Sequence, residues 1–531
     1  YTRINSLKSS NYIKALLFGD NKLDKEIKTS YQINGISHLF SVSGFHINFI
    51  TSIIYFYLDR VTYNKKIKYI TVDIFLVLYL LLCNTTSLLR CTVMNILLSI
   101  NHLLKLNIKK IDIVLLTLIL CIIINPFIIY DIGFIYSYTI SFFLILYKNK
   151  YKTNNKLLKI IYISLISFLV SLPINIYTSY EINFLSIILN IIIVPIVSLI
   201  LLPLSLLTLI FPILDNILYL ITSILEKISL YTSNINIFKQ VLSKPSIILI
   251  IIYYLVIILI LSKNKHYYLI LILLIFHKTI PLYNSNLEVV MFDVGEADSM
   301  LISTPSKKVN ILIDTGRGID INNIIIYLKS IGISKLNYLI ITHGDEDHIG
   351  GALYLIDNFK VDNVILNKGD YTELEVELIT HLKNKNIKYT NNINKIPLLG
   401  SYMYLLNTKK FSNENDNSIV TYFEYQKYKF LFMGDSSSKT EEYLINNYNL
   451  TNISFLKVGH HGSNTSSSPL FINKITPKVS LISVGRNNFY HHPNKEVLTN
   501  LSNSVIYRTD INKSIKIKIN NKVKITKLNN N

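Results

Sequence analysis

Long apolar segments recur through the first 285 residues of this 531-residue chain and then stop. A helix of about 20 mostly apolar residues spans a bilayer, and a chain repeating such segments cannot bury them all in one aqueous core. By that criterion the sequence predicts about ten spans. They lie near Ile36–Leu58, Ile67–Cys83, Ser87–Leu104, Ile111–Ile129, Ile132–Tyr147 and Leu157–Ile176, then Ile182–Leu201, Leu202–Leu220, Ser246–Leu261 and Tyr267–Ile280. The stretch Asp215–Leu230 reads alternatively as an amphipathic helix along the interface.

Charge follows the same division. Residues 1–285 carry 25 Lys and Arg against 10 Asp and Glu, and residues 286–531 carry 28 against 23, so +15 of the net +20 sits with the apolar part. Most of this excess reads as membrane-flanking charge rather than a nucleic-acid footprint. Basic loops follow the first, third, fifth and ninth segments (Arg60 to Lys68, Lys105 to Lys110, Lys148 to Lys159, Lys263 and Lys265). The loops after the second, fourth and sixth carry no Lys or Arg. The positive-inside rule then puts both ends of the block, and whatever follows it, on the outer face of the cell membrane.

Ionisable groups are costly in hydrocarbon and face a bundle interior or a water-filled path. By that logic His38, Ser43, Gly44 and His46 at the first segment, and Arg90 in the third, are candidates for lining a channel. The chain opens on Tyr1 rather than Met, which leads us to expect a truncated N-terminal segment over residues 1–35. The expected organisation is that segment, a membrane domain over 36–283 and a soluble domain over 284–531.

Beyond Asn284-Ser285-Asn286 the pattern changes to short β-like runs with turn signals. One of them, Tyr338 to Thr342, delivers the hexad His343-Gly344-Asp345-Glu346-Asp347-His348. Further ligand-type residues close other runs: Gly434-Asp435, His460-His461-Gly462-Ser463 and His492-Pro493. Strands whose loops gather at one edge of a sandwich bring such residues together. All three cysteines, Cys83, Cys91 and Cys121, lie in the apolar part and form no CxxC pair, so neither a thiolate zinc site nor a disulfide framework is indicated, and His and carboxylate remain as ligands of the second part.

That ligand set suits two divalent cations about 4 Å apart that hold a hydroxide and polarise a phosphoryl oxygen. Asp435 is the expected bridge, with His343 and Asp345 on one ion and Asp347, His348 and His492 on the other. Asp347 also has the position to orient the attacking water, and Lys457, His460 or His461 to stabilise charge or protonate the leaving oxygen. Spacing alone leaves open a phosphodiester or another hydrolysable anion.

Taken in order, these motifs resemble the ComEC family of DNA-internalisation proteins of bacterial competence. The resemblance is carried by Gly35-Ile36-Ser37-His38-Leu39, Val42-Ser43-Gly44-Phe45-His46-Ile47, Ser87-Leu88-Leu89-Arg90 and Asp131-Ile132-Gly133-Phe134. In the second part it is carried by Phe292-Asp293-Val294-Gly295, the hexad, Gly434-Asp435, Lys457 to Ser463, His492-Pro493 and Tyr507-Arg508-Thr509-Asp510. It implies a polytopic α-helical membrane bundle passing single-stranded DNA, followed by an α/β metallo-β-lactamase-like domain, an αββα sandwich. That domain is implied to be an external nuclease degrading the strand that does not enter. Other competence proteins are implied partners, and because no Walker-type motif is present, any ATP-driven motor is a separate protein.

The chain departs from the pattern in three places. Asp345 stands where most such folds carry a second His, and Glu296-Ala297 replaces the usual Gln-Gly. No intermediate His is read between the hexad and Asp435, which leaves one site weaker or suited to Mn²⁺ instead of Zn²⁺. Two divalent ions, Zn²⁺ or Mn²⁺, are therefore the expected cofactors. Two other functions fit the same residues: a DNA channel whose lactamase-like domain only binds DNA, or a membrane-anchored hydrolase of another phosphate ester.

Overall fold

The computed structural model describes residues 2–148, 153–263, 266–407 and 409–528. Lys150, Lys152 and Lys265, three of the predicted loop charges, lie outside them. The chain divides into two compact units. One runs to Gln240 and includes Pro245–Leu274; the other holds Val241–Lys244 and everything from Ile275 onward.

The first unit is helical. Its main helices are Gly44–Val61, Lys65–Cys83, Thr86–Leu103, Lys110–Ile124, Ile132–Leu146 and Lys156–Ser179, followed by Leu185–Ile196, Leu202–Ile210, Asp215–Ser233 and Ile247–Lys263. Polar side chains fix their starts. Asn64, Thr85, Asp131 and Asn155 each accept a backbone N–H of the first turn. Among the described residues two helices, Leu157–Ser179 and Leu185–Ile210, are long and apolar enough to cross a membrane; Ile132–Leu146, Ile247–Ser262 and Tyr268–Tyr283 are shorter apolar helices.

The predicted division between Ile182–Leu201 and Leu202–Leu220 is not found. One helical run continues from Leu185 to Ile210 through a π-helical turn at Val197–Leu201, and a separate helix follows from Asp215. Pro195 and Pro203 flank that turn, and each removes a backbone donor. Widening the turn lets the helix pass both prolines without stopping.

The second unit is a four-layer sandwich. One eight-stranded sheet has the spatial order Lys388–Thr390, Asn363–Ile365, Tyr338–Ile340, Asn310–Ile313, Met300–Ser303, Leu287–Met291, Ser514–Ile519, Val523–Leu528. The other has seven strands: Lys395–Leu398, Ser401–Leu405, Thr421–Tyr425, Tyr428–Phe432, Phe455–Lys457, Val479–Ile482, Val505–Arg508. Alternation along each strand divides the core. Val289, Met291, Ile311, Ile340, Phe423, Phe430 and Phe455 meet between the sheets, while Val290, Leu312 and Leu339 face the helices Ile321–Ser330, Ala352–Asn358 and Glu373–Asn384. Leu431, Leu456 and Ile482 pack outward on helices Ser438–Asn447, Pro469–Ile475 and Lys495–Asn500.

The inner layer is aromatic at its centre. Phe430 stacks on Phe423 at 4.5 Å and on Phe455 at 4.8 Å. Phe430→Leu keeps apolar volume but loses both stacks, and is expected to cost roughly 1–2 kcal/mol, read as a lowered urea midpoint.

Glu288 is buried on the helix-facing side of its strand, with Lys307 Nζ at 2.5 Å, Lys516 Nζ at 2.9 Å and Lys518 Nζ at 3.6 Å. Burial alone would raise its pKa, but Lys307 and Lys516 outweigh it and hold the carboxyl at about 2. Burial pulls Lys307 below its ordinary value despite Glu288, so the acid limb carries the cluster's contribution. A depressed carboxyl stabilises the fold above its unfolded pKa and ceases to as pH falls through the folded one. Wild-type stability should therefore decline between about pH 4.5 and pH 2 more steeply than that of Glu288→Gln, measured by acid titration of near-UV circular dichroism.

The segment Val241–Lys244 joins this unit by backbone contacts. Lys244 N donates to Ser330 O at 2.7 Å, and His277 Nε2 donates to Ser243 O at 3.0 Å.

Candidate metal centre

Four loops leave the ends of strands at one edge of the sandwich. The first follows Tyr338–Ile340 and carries the hexad. Its second half is a short helix, Glu346–Ile349, with Asp345 at its N-cap. Helix geometry turns Asp347 and His348 inward and leaves Asp345 half-exposed, with its Oδ2 3.4 Å from His343 Nε2. Asp314 closes the strand Asn310–Ile313 in a left-handed conformation, φ 57°. There its carboxylate accepts Thr342 N at 2.7 Å and Thr342 Oγ1 at 2.8 Å, tying the hexad loop down.

The third loop brings Asp435 through Gly434, at φ 57°. A Cβ there would lie 2.9 Å from that of Ser418, so glycine serves both the conformation and the close approach. The fourth brings His460 and His461, both at positive φ. His461 and the two hexad imidazoles are buried, as are Asp298, Asp314 and Asp435.

Three overlapping groups of ligand-type atoms result: His343, His348 and Asp435; Asp347, His348 and His461; Asp298, Asp314 and His348. The atoms of each lie within 4.8 Å of one another. Hydrogen bonds define which nitrogens are free. His461 Nδ1 is 2.9 Å from Ser483 O, and a carbonyl only accepts, so Nδ1 carries the proton and Nε2 presents its lone pair. His348 Nδ1 sits 2.8 Å from Asp314 Oδ2 in the same arrangement. The Nε2 atoms of His343, His348 and His461, with Asp435 Oδ1 and Asp298 Oδ1, are buried and have no hydrogen-bond partner. Buried polar atoms are ordinarily paired, so the unpaired Nε2 atoms of His343 and His348 with Asp435 Oδ1, which lie together in one group, fit a divalent cation.

The electrostatics agree. Burial would lift the Asp435 carboxyl, but His348 and His461 hold it well below the usual range. Burial likewise opposes protonation of the two histidines. Asp435 and Asp314 nevertheless hold His348 well above its ordinary value, and Asp435 and Asp298 hold His461 at about 9. Burial would raise Asp347 too, but His461, 3.6 Å away, and His348 hold its carboxyl at about 2. The carboxylates thus demand positive charge, which protons or a bound metal satisfies.

The sequence-predicted residues separate by position. The structure gathers His343, Asp347, His348 and Asp435. Asp345 is adjacent but outside every three-ligand group. His492 pairs through Nδ1 with Glu296 Oε1 at 3.0 Å and lines the cleft with Asp435, outside every three-ligand group. His461, expected as an acid or charge stabiliser, stands among the ligands, whereas His460 Nε2 remains 4.0 Å from Asp435 Oδ2. Lys457 is buried, ion-paired to Asp298, donates to Gly434 O at 3.0 Å and lies 3.7 Å from Asp435, so its ammonium faces the scaffold and not a leaving group. His381 is in fact a histidine between the hexad and Asp435, but it pairs with Asp357 at 2.9 Å on helix Glu373–Asn384 and takes no part. Asp298 and Asp314 were not anticipated as site residues. Their signal is position, since Asp314 ends the strand next to the hexad's own and Asp298 lies in the turn before the strand beyond it.

The cluster opens on a cleft of about 350 Å³ lined by Glu296, Arg317, Asp345, Asp347, His460, Tyr490 and His492.

In the helical unit the candidate channel residues converge in part. Ser43 caps helix Gly44–Val61 and its Oγ lies 2.6 Å from His46 Nδ1. Arg90 is buried and donates to Ser141 Oγ at 3.0 Å. A Cβ on Gly44 would lie 3.0 Å from Arg90 Nη2, so the helix start and the guanidinium are neighbours. His38 is exposed on the 3-10 turn Ser37–Phe40.

A family model described as competence protein matches residues 16–265, and one described as metallo-β-lactamase superfamily matches residues 292–486. The chain is 27% identical to ComE operon protein 3 of Bacillus subtilis over 97% of its own length and 72% of that protein's. It is 30% identical to competence protein ComA of Neisseria gonorrhoeae over 39% of this chain and 28% of that one. It is also 30% identical to recombination protein 2 of Haemophilus influenzae over 40% and 26% respectively.

Proposed function

The chain belongs to the ComEC family of competence proteins, and from that premise we propose that it serves DNA uptake: the helical unit passes single-stranded DNA across the cell membrane, and the metallo-β-lactamase domain hydrolyses phosphodiesters of the strand left outside. The observation that carries the hydrolytic half is the set of buried, unpartnered lone pairs of His343, His348, His461 and Asp435 at the floor of an open cleft.

Divalent cations, Zn²⁺ or Mn²⁺, held by these residues and Asp347, would supply Lewis acidity at the phosphoryl oxygen and a lowered water pKa. Asp347 borders the cleft as a permanent carboxylate and is placed to orient the attacking water. His460, at the cleft wall, is the candidate to donate to the leaving oxygen. Lys457 acts at one remove, fixing Asp298 and the Gly434 turn on which Asp435 depends.

For the helical unit we read a multi-pass bundle. Support comes from its outward apolar side chains, such as Leu81, Leu82, Ile123, Ile213, Ile247 and Ile248, which are exposed along successive helices. The alternation of basic and uncharged loops supports an outer-face location for the metal domain. Arg90, Ser43, Gly44 and His46 are proposed to shape the strand's path, with a separate motor protein supplying energy.

The test uses the full chain in detergent, given labelled single-stranded and duplex DNA in Mn²⁺ and Zn²⁺ titrations. Cleavage should require metal and vanish in EDTA and in Asp347→Ala. No cleavage with either ion would sink the hydrolytic half. Arg90→Gln should reduce uptake of labelled DNA by cells, and unchanged uptake would refute its role in the path.

A further inference from the structure

Phe489 and Tyr490 stand in the loop between strand Val479–Ile482 and helix Lys495–Asn500, and they are 90% and 65% exposed. Their loop is braced. Asn488 Nδ2 donates to Gly485 O at 3.1 Å and to His492 O at 2.8 Å, and its Oδ1 accepts His492 N at 2.8 Å. Arg486 Nε donates to Asp510 O at 3.0 Å. These bonds hold two large rings in water, where their apolar faces gain nothing from the fold.

The rings adjoin the metal centre. Tyr490 stacks on His492, centroids 5.6 Å apart and planes at 19°, and both border the cleft with Asp347 and Asp435. Phe489 extends the row, edge to face with Tyr490 at 5.8 Å.

We infer that Phe489 and Tyr490 form a stacking platform for an unpaired nucleobase beside the scissile phosphodiester, so that the cleft selects single-stranded nucleic acid. This rests on the hydrolytic reading above. A base offers a flat face of the right size only when unstacked and unpaired, and a duplex hides that face. Glu296, Asp345 and Asp347 lie beside the rings and disfavour an anionic lipid surface. A strand whose phosphate sits on a cation-filled centre presents a neutral base to the rings.

The test is fluorescence anisotropy with the full chain in detergent and Mn²⁺, on phosphorothioate strands that resist cutting. The probes are an oligothymidylate, the same strand carrying abasic sites, and phosphatidylglycerol vesicles. Phe489→Ala and Tyr490→Ala should each weaken binding of the intact strand about 10-fold and leave the abasic strand unaffected, while Tyr490→Phe keeps wild-type affinity. Unchanged affinity for the intact strand, an equal loss on the abasic strand, or an effect confined to vesicles overturns the inference. Both side chains are on the surface, and an unchanged thermal transition separates lost contact from lost fold. A wild type that discriminates the base but cuts nothing removes the hydrolytic reading alone; one that cuts while ignoring the base removes the platform alone.

Discussion

Asp435→Asn is expected to lower metal-dependent phosphodiester cleavage about 1000-fold, equivalent to about 4 kcal/mol of transition-state stabilisation. Asp435 is the carboxylate nearest all parts of the centre, with Oδ1 3.3 Å from His348 Nε2 and Oδ2 3.6 Å from His461 Nε2. An amide keeps the shape but loses the charge that draws a cation to those nitrogens and the ability to serve two ions. Because a ligand that binds only the folded state stabilises it by mass action, metal should raise the wild-type thermal transition and leave that of Asp435→Asn nearly still. Turnover, metal content and the shift in transition temperature together check the prediction. Retained metal with lost turnover would show instead that the charge acts on the substrate.

Lys457→Met should cost the second unit about 3–5 kcal/mol, because it strands the buried Asp298 carboxylate without its cation. Loss of the ammonium also removes one of two donors to Gly434 O, leaving His460 N at 3.2 Å, and one positive charge 3.7 Å from Asp435. The pair's own worth is smaller than that loss, since burying both charges is itself costly. Lys457→Met with Asp298→Leu is therefore expected to recover much of the stability, a non-additivity of a few kcal/mol. The chain contains no Trp, so amide hydrogen exchange across strand Phe455–Lys457 is the suitable readout. Additive losses would show that the two side chains act independently.

Those two residues also mark the limit of what spacing discloses. The hexad was legible because one strand end presents His343, Asp347 and His348 within six positions. Asp435 was legible because Gly-Asp after an apolar run signals a turn carrying a carboxylate. Lys457 and Asp298 are 159 positions apart, and only the packing of the two sheets makes them neighbours. Asp314 enters through a parallel pairing in which Ile313 lies opposite Ile340. Asp345 and His492 were read as ligands from the motif pattern, and spacing does not disclose their direction. One sits half-exposed at a helix N-cap with its carboxylate 3.4 Å from His343 Nε2, and the other is held through Nδ1 by Glu296 at the cleft wall. In the helical unit, apolar stretches located the helices well, yet nothing in Leu201-Leu202 told a turn from a continuing helix.

Val241–Lys244 has a consequence for how the protein is made and inherited. Synthesis delivers these four residues first, then the apolar helices after them, and only later Ser330, whose carbonyl Lys244 closes. The metal domain is thus finished by chain that leaves the ribosome before the domain itself. A break in the gene anywhere between codons 245 and 286 would hand part of that domain to the other product. A metal domain expressed from Leu287 onward would lack Lys244, and its Ser330 carbonyl would lose the donor it has in the full chain.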